Sequence, residues 1–218
     1  MDTTNCSNSQ HAAKILRISS LLHQFGWLAA CDGNISIRLN EDEILITPSG
    51  KAKAFIEEKD LVIVNLKTGK SSEGIPSSES ALHFAVYNNA PLAKAVIHAH
   101  PPYAIAWTIA KPELNELPAE YFSELILACG RIPFVPYARP GSEDMGKVIE
   151  PFVKECRAMI LRNHGCLAWG EDLQEAYNGV ERLEHAAKTL AIAASMGQLQ
   201  PLPDSEIKIL KEMRKKLG

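Results

Sequence analysis

The chain contains the segment Ala95-Val-Ile-His-Ala-His-Pro-Pro102, an apolar run that carries two histidines and ends in two prolines. The run predicts a buried strand over 95–100, which the prolines end because proline cannot donate to a ladder of hydrogen bonds. Residues two apart on a strand point to the same face, so His98 and His100 can bind one metal ion from a rigid element. Taken alone, the pattern fits two ordinary histidines near a strand end equally well.

The sequence around this strand alternates between two hydrophobic periods. Short apolar or alternating runs predict five further strands, at 34–39, 43–47, 61–65, 132–137 and 158–162. Helical spacing predicts helices at 11–25, 78–87, 103–109, 142–154, 173–196 and 204–216. Because strands and helices do not alternate regularly, we expect a mixed or antiparallel sheet flanked by helices, within a single domain over 1–218.

Composition excludes several classes of partner. The 218 residues carry a formal net charge of −3, and the basic residues are scattered, so we expect no nucleic-acid partner. No segment is long and apolar enough to span a bilayer, and the first ten residues lack the apolar core of a signal peptide. The five cysteines form no Cys-x-x-Cys pair, which predicts free thiols and a cytoplasmic location.

A third histidine strengthens the metal hypothesis. His164 closes the predicted strand 158–162 in the segment Arg162-Asn-His-Gly165, and Gly165 permits a turn that aims the imidazole inward. Three protein ligands with one open position are typical of a catalytic zinc site rather than a structural one. Imidazole also suits cobalt, nickel and iron, so the sequence favours zinc without fixing the metal.

Glu79 stands in Pro76-Ser-Ser-Glu79, at the predicted start of a helix, and two interpretations stay open. The serines can cap the helix while its dipole favours the carboxylate. Alternatively, hydroxyls and free N–H groups bind a phosphate, and the carboxylate is a general base beside the metal. His83, one turn later, either orients Glu79 or packs in the core. In the long helix, Glu181, Glu184 and His185 are read as a partly solvated face without chemistry.

Six short motifs give the sequence its most specific signal. They are Gly-Asn-x-Ser-x-Arg at 33–38, Thr-Pro-Ser-Gly at 47–50, Pro-Ser-Ser-Glu at 76–79, His-x-His at 98–100, Pro-Tyr-Ala at 136–138 and Asn-His-Gly at 163–165. With these motifs in this order, the chain resembles the class II aldolase/adducin family from about residue 11 to 198. The resemblance implies a three-layer α/β/α fold around a largely antiparallel sheet.

The resemblance also implies a site. It places zinc on His98, His100 and His164, and makes Glu79 the acid/base. It assigns the substrate phosphate to Asn34, Ser49, Gly50, Ser77 and Ser78. It implies a homotetramer with active sites at subunit interfaces, where a tyrosine of a neighbouring subunit handles the second proton; Tyr121 is the candidate. Cys31 stands where the sugar-phosphate aldolases typically have threonine, and a thiol is the weaker hydrogen-bond donor.

The implied function is that of an enzyme, a zinc-dependent aldolase that cleaves a ketose 1-phosphate to dihydroxyacetone phosphate and an aldehyde. Three reactions with the same enediolate chemistry stay open: a sugar-acid phosphate decarboxylase, a pentulose-phosphate 4-epimerase, and a methylthioribulose-phosphate dehydratase or aldolase. The epimerases carry aspartate at the position of Glu79, which disfavours that alternative. A non-enzymic module of the adducin type is disfavoured as well, since a scaffold has no physical need for an open metal site.

Overall fold

The computed structural model describes residues 3–217, and their side chains from residue 8 to 216. The predicted free thiol of Cys6 lies outside the described side chains; Cys31, Cys129, Cys156 and Cys166 are free. The helices are α1 (Thr3–Gln24), α2 (Ser80–Asn89), α3 (Pro102–Ala110), α4 (Ser123–Ala128), α5 (Asp144–Val153), α6 (Leu173–Met196) and α7 (Asp204–Leu217). The strands are β1 (Asn34–Arg38), β2 (Glu43–Ile46), β3 (Val62–Asn65), β4 (Ala95–Ala99), β5 (Phe134–Val135), β6 (Ala158–Leu161) and β7 (Gly165–Gly170).

The seven strands form one sheet in the order β3-β2-β1-β4-β7-β6-β5. Neighbours run antiparallel except β5 and β6, which are parallel. The central strands β1, β4 and β7 come from distant parts of the chain, and they bring three of the six motifs side by side. This is the largely antiparallel sheet that the resemblance implied.

Helices cover both faces of the sheet. Apolar residues of α1, α3, α4 and α6 pack on one face, where Ile35 and Ile97 point. Helices α2 and α5 pack on each other and on the other face, where Val96 and Leu167 point. Because successive side chains of a strand alternate between faces, each central strand contributes to both cores. The prediction of a three-layer α/β/α fold is confirmed.

Some predicted elements differ from the structure. The strand expected at 132–137 pairs only over Phe134–Val135, and the helix expected from residue 11 begins at Thr3. One α-helix and one strand were not predicted, α4 and β7, and neither were three short 3₁₀ helices. Strand β7 begins and ends in glycine, which weakens its strand signal, and its burial on both faces removes the alternation on which the prediction relied. Helix α6 has the predicted bounds.

Among the described residues, no helix combines the length and apolarity needed to cross a bilayer. That 1–218 forms a single domain stays a prediction.

Candidate metal centre and anion cavity

Three imidazoles meet where β4 ends and β7 begins. These two strands are neighbours in the sheet, and Ala99 pairs with Cys166, so His98, His100 and His164 surround one point. The three ring centroids are 4.8–4.9 Å apart. The Nε2 atoms of His98 and His100 lie 2.9 Å from each other. The structure therefore brings together all three histidines that the sequence proposed as metal ligands.

Glu79 faces the same point from the turn before α2. Its Oε2 lies 3.2 Å from Nε2 of His98, and its Oε1 lies 3.1 Å from Nε2 of His164. Burial acts to raise the pKa of Glu79, but the hydrogen bonds and charges of His164 and His98 outweigh it and hold that pKa well below its usual range. Glu79 is therefore a carboxylate at neutral pH and can accept a proton.

The donor set fits a divalent cation. One ligand atom from each of Glu79, His98, His100 and His164 lies within 4.8 Å of all the others. Two ligands held at about 2.05 Å by a tetrahedral ion lie about 3.3 Å apart, close to the observed separations. Nδ1 of His98 is 2.8 Å from the carbonyl oxygen of Cys166, to which it donates, so Nε2 is the atom that would bind a cation at the centre after giving up its proton. Nδ1 of His100 points to Asp32 at 3.6 Å.

Two glycines allow this close approach. A β-carbon on Gly165 would lie 2.5 Å from the carbonyl oxygen of Ala99 and 2.9 Å from Cε1 of His98. A β-carbon on Gly33 would lie 2.9 Å from the carbonyl oxygen of His98, and its φ of +70° also favours glycine. The turn that aims His164 differs from the expected one: the left-handed residue is Asn163, with φ of 57°, and Gly165 provides space instead.

The motif at 33–38 builds a buried chain of hydrogen bonds behind Glu79. Nδ2 of Asn34 donates to Oε2 of Glu79 at 3.0 Å, and Oδ1 of Asn34 lies 2.6 Å from Nε2 of His83. Nδ1 of His83 lies 2.6 Å from Oγ of Ser36, which lies 2.8 Å from the hydroxyl of Tyr87. His83 thus reaches Glu79 through Asn34 and not directly. The side chain of Asn34, predicted to bind phosphate, is engaged with Glu79 and His83.

The direction of this chain follows from its two ends. The carboxylate of Glu79 can only accept, so Asn34 presents its amide nitrogen to Glu79 and its oxygen to His83. Burial, together with the charge of His98, lowers the pKa of His83 to about 3, so the ring is neutral. Its Nε2 carries the proton, and its Nδ1 accepts from Ser36. Ser36 then accepts from Tyr87, and the orientation of Glu79 is fixed from the core outward.

A cavity of about 320 Å³ opens beside the metal centre. It is lined by all five residues predicted for the phosphate: Asn34, Ser49, Gly50, Ser77 and Ser78. Glu79, His100 and His164 line it too, so an anion bound there lies next to the metal ligands. Asp32 and Lys53 line the cavity as well, and sequence reasoning gave no role to Lys53. Nothing in the exposed-looking run Gly50-Lys-Ala-Lys53 indicates that the second lysine is buried.

Two other residues, Tyr121 and Glu184, lie outside the cavity. Tyr121 ends a short 3₁₀ helix, Ala119–Tyr121, packs partly buried on the α1 side of the core, and does not line the cavity of its own chain. Glu184 was read as part of a solvated face, but it is only 3% exposed. Its carboxylate accepts from the backbone N–H groups of Tyr103 and Ala104, which open α3.

The fold and this centre together are those of an α/β enzyme with a cluster that could hold a metal ion: three histidines from a sheet, a carboxylate beside them and an open polar cavity. Sequence comparison makes the assignment more specific. Residues 13–191 match the profile of the class II aldolase and adducin N-terminal domain, and the chain belongs to this family. The predictions of the family, and of an enzyme of the metal-dependent lyase type, are confirmed.

Relatives within the family carry out more than one reaction. The chain is 32% identical to the 3-oxo-tetronate 4-phosphate decarboxylase of Escherichia coli O6:H1 over 180 residues, 82% of this chain and 85% of the relative. It is 30% identical to an L-fuculose phosphate aldolase of Methanococcus maripaludis, over 85% of this chain and 98% of the relative. The crystal structure of Escherichia coli YgbL, described as a candidate aldolase, epimerase or decarboxylase, superposes with a TM-score of 0.85 at 29% identity, covering 94% of this chain and 99% of YgbL.

Proposed function

We propose that the chain is a lyase that breaks the carbon–carbon bond between the carbons α and β to the carbonyl group of a phosphorylated sugar or sugar acid. The position of Glu79 supports this most directly, because its two oxygens lie 3.2 and 3.1 Å from Nε2 of His98 and His164. His98, His100 and His164 would hold the cation, which we propose to be zinc. When bound, the cation supplies Lewis-acid stabilisation of negative charge on substrate oxygens.

The side chains of the cavity have two further roles, phosphate binding and proton transfer. Ser49, Gly50, Ser77 and Ser78 line the part of the cavity where we place the phosphate, through hydroxyls and backbone N–H groups at the start of α2. The carboxylate of Glu79 takes up a proton from water and passes it to the substrate carbon. Asn34 donates to one oxygen of Glu79, so the carboxylate keeps one orientation while the proton moves.

Decarboxylation of a 3-oxo-tetronate 4-phosphate is the reaction that the described chain fits best. The C1–C2 bond breaks, carbon dioxide leaves, and the electron pair spreads from C2 onto the C3 oxygen as an enediolate. One proton delivered to C2 then gives dihydroxyacetone phosphate. A single proton-transfer group suffices for this reaction, and Glu79 lies in the cavity with the phosphate site. The 32% identical decarboxylase supports the same choice.

Aldol cleavage of a ketose 1-phosphate is the second candidate, favoured by the relatives named L-fuculose phosphate aldolase. It leaves the same enediolate of dihydroxyacetone phosphate, but a second group must take the proton of the hydroxyl that becomes the aldehyde. Tyr121 does not line the cavity of its own chain, so this role requires it to come from a neighbouring subunit. We accordingly propose a homotetramer with shared sites, acting in the cytoplasm. Of the relatives named above, YgbL is described as a candidate epimerase among other activities, and none is described as a dehydratase.

The test uses the metal-loaded protein and two assays. Solvent deuterium should exchange into dihydroxyacetone phosphate, and a chelator should abolish the exchange, because both candidate reactions pass through that enediolate. A 3-oxo-tetronate 4-phosphate should release carbon dioxide and dihydroxyacetone phosphate in equal amounts. Aldol condensation with added aldehydes, without release of carbon dioxide, would select the second candidate. Absence of all three activities in metal-loaded protein would refute the proposal.

Two variants separate the roles of the metal ligands and Glu79. His98→Ala should lose the bound metal and the activity together. Glu79→Gln should keep the metal and lower turnover by about 10²–10⁴-fold, because it removes the proton carrier and retains the shape. Metal content and turnover are measured on the same preparations. Wild-type turnover in Glu79→Gln would disprove the assignment of Glu79.

A further inference from the structure

Lys53 is a buried cation in a chain whose other lysines lie at the surface. It opens the short 3₁₀ helix Lys53–Phe55, directly after the turn at 47–50. Its side chain is deeply buried, with 3% of the residue exposed, and no other lysine or arginine of the described residues is buried to this degree. A buried ammonium needs compensation, since transfer of an isolated charge out of water is costly.

The contacts of Lys53 compensate its charge only in part. Its Nζ donates to the carbonyl oxygens of Cys31 at 2.6 Å and Lys51 at 2.9 Å. Both acceptors are neutral, and within the described part of the chain no carboxylate lies within ion-pair distance of Lys53. An ammonium carries three N–H donors, and one of them has no protein acceptor here. Burial lowers the pKa of Lys53, against the pull of the nearby charges of Cys31, Asp32 and Glu79.

The groups around Lys53 are of the kind that bind an anion. Lys53 lines the same cavity as Ser49, Gly50, Ser77 and Ser78. These side chains are short, and the serine hydroxyls can donate to an incoming anion, whereas the N–H groups of Ser49 and Ser77 already donate to backbone carbonyl oxygens. Lys53 adds a positive charge beside these neutral groups, in a cavity whose carboxylates are those of Asp32 and Glu79. A phosphate monoester carries about two negative charges at neutral pH, and it would supply the missing counter-ion.

We propose that Lys53 is a binding residue for the substrate phosphate, which its ammonium contacts between the turn at 47–50 and the serines before α2. The inference rests on the proposed function only in taking the substrate to be phosphorylated. It assigns the cavity a specificity for phosphorylated over unphosphorylated substrates. The backbone contacts of Lys53 to residues 31 and 51 hold the ammonium at the cavity wall before the ligand arrives, so little ordering is needed on binding.

The experiment measures binding of inorganic phosphate by calorimetry, without any turnover. Lys53→Met keeps the length and apolar stem of the side chain and removes the charge; we expect phosphate affinity to fall at least tenfold. Lys59→Met, which removes an exposed lysine of the neighbouring helix Glu58–Asp60, is the matched control and should stay within twofold of wild type. Lys53→Arg keeps the charge, and it should retain more of the affinity than Lys53→Met.

The outcomes discriminate between the explanations. Wild-type phosphate affinity in Lys53→Met would overturn the proposal and leave Lys53 as a tie between two loops. If Lys53→Met lost acetate binding but kept phosphate binding, the proposal would also be overturned, because the ammonium would then bind a carboxylate of the substrate. If Lys53→Met does not fold, the decision passes to Lys53→Arg, together with phosphate protection of Lys53 in the wild type against amine-specific labelling; absence of protection would refute the contact. Failure of the lyase assays leaves these binding results unchanged.

Discussion

His83 shows how one buried side chain serves both the core and the site. It is fully buried, its pKa is lowered to about 3 by burial and by the charge of His98, and its two nitrogens bind Asn34 and Ser36. The neutral ring gives Asn34 its orientation, and Asn34 gives Glu79 its orientation. The motif Gly-Asn-x-Ser-x-Arg is therefore explained less by phosphate than by residues 34, 36 and 38 sharing one face of β1, where Arg38 donates to the carbonyl of Tyr87 at 2.7 Å.

The lowered pKa of His83 predicts a pH dependence of stability. Below about pH 6.5 the unfolded chain takes up a proton at this position, whereas the folded chain does not do so until about pH 3. The contribution of the neutral His83 ring to the free energy of unfolding is therefore fully present above pH 6.5. It is lost as the pH falls, at up to about 1.4 kcal/mol per pH unit. His83→Gln should flatten the curve of unfolding free energy against pH between 7 and 5, measured by urea unfolding in the presence of chelator.

His185 provides the control for this measurement, because it is exposed. His185→Gln therefore removes a histidine and leaves the buried neutral ring of His83 in place. That variant should keep the wild-type slope. An unchanged slope in His83→Gln would show that the neutral ring is not the source of the acid sensitivity.

For single residues, the sequence could indicate which residues form the candidate site but not which contacts they make. The three histidines and Glu79 were found because their motifs are short and specific. The burial of Lys53 and the engagement of Asn34 depend on contacts 22 and 45 residues away along the chain, which no local pattern encodes. For the same reason Gly165 was assigned a turn, when its function in the structure is to leave room for His98.

Helix α3 illustrates how one element is fixed by another. It begins at Pro102, two residues after His100, and its first N–H groups have no partner within the helix. Glu184 of α6 accepts from two of them, at 3.1 Å from Tyr103 and 2.9 Å from Ala104. This cross-helix cap holds the chain segment that follows His100.

Glu184→Gln should lower the unfolding free energy by about 1–2 kcal/mol, because one backbone N–H then faces an amide NH₂ instead of an acceptor. Urea unfolding at neutral pH checks this, and the exposed Glu150→Gln in α5 is the matched control, with no change expected. Equal stability of the two variants would mean that α3 does not depend on this cap.

For whole elements, prediction succeeded where one hydrophobic period is repeated over a long continuous segment. Helix α6 has its predicted bounds because 24 residues repeat the helical spacing, and Asp172 caps it by accepting from the N–H of Glu175. Strand β7 was missed because it is buried on both faces and bounded by Gly165 and Gly170. Its existence is decided by its neighbours β4 and β6 rather than by its own sequence.

Across the whole molecule, one chain supplies all the residues that we propose for the metal and the phosphate, while Tyr121 lies outside the cavity. If sites are shared between subunits, Tyr121→Phe should lower aldol activity and leave release of carbon dioxide near wild type. A mixture of Tyr121→Phe and Glu79→Gln, refolded together, should then regain up to about a quarter of wild-type aldol activity, since random pairing unites two intact partners at that frequency.

Each variant refolded alone is the control for this complementation. Absence of regained activity in a mixture that forms hybrid oligomers would show that Glu79 and Tyr121 do not meet at an interface. Full aldol activity of Tyr121→Phe alone would remove Tyr121 from the mechanism.

The strand order has a consequence for how the protein reaches its native state. The ligands and the residues that orient them lie at positions 34, 79, 98, 100 and 164, and they meet only when β1, β4 and β7 have paired across long stretches of chain. Such pairings of high sequence separation form late and slowly during folding. The three histidines that we propose as ligands can therefore bind an ion only in molecules whose central sheet is finished. Metal uptake during refolding should then report completion of the sheet, whereas recovery of helical signal reports an earlier event.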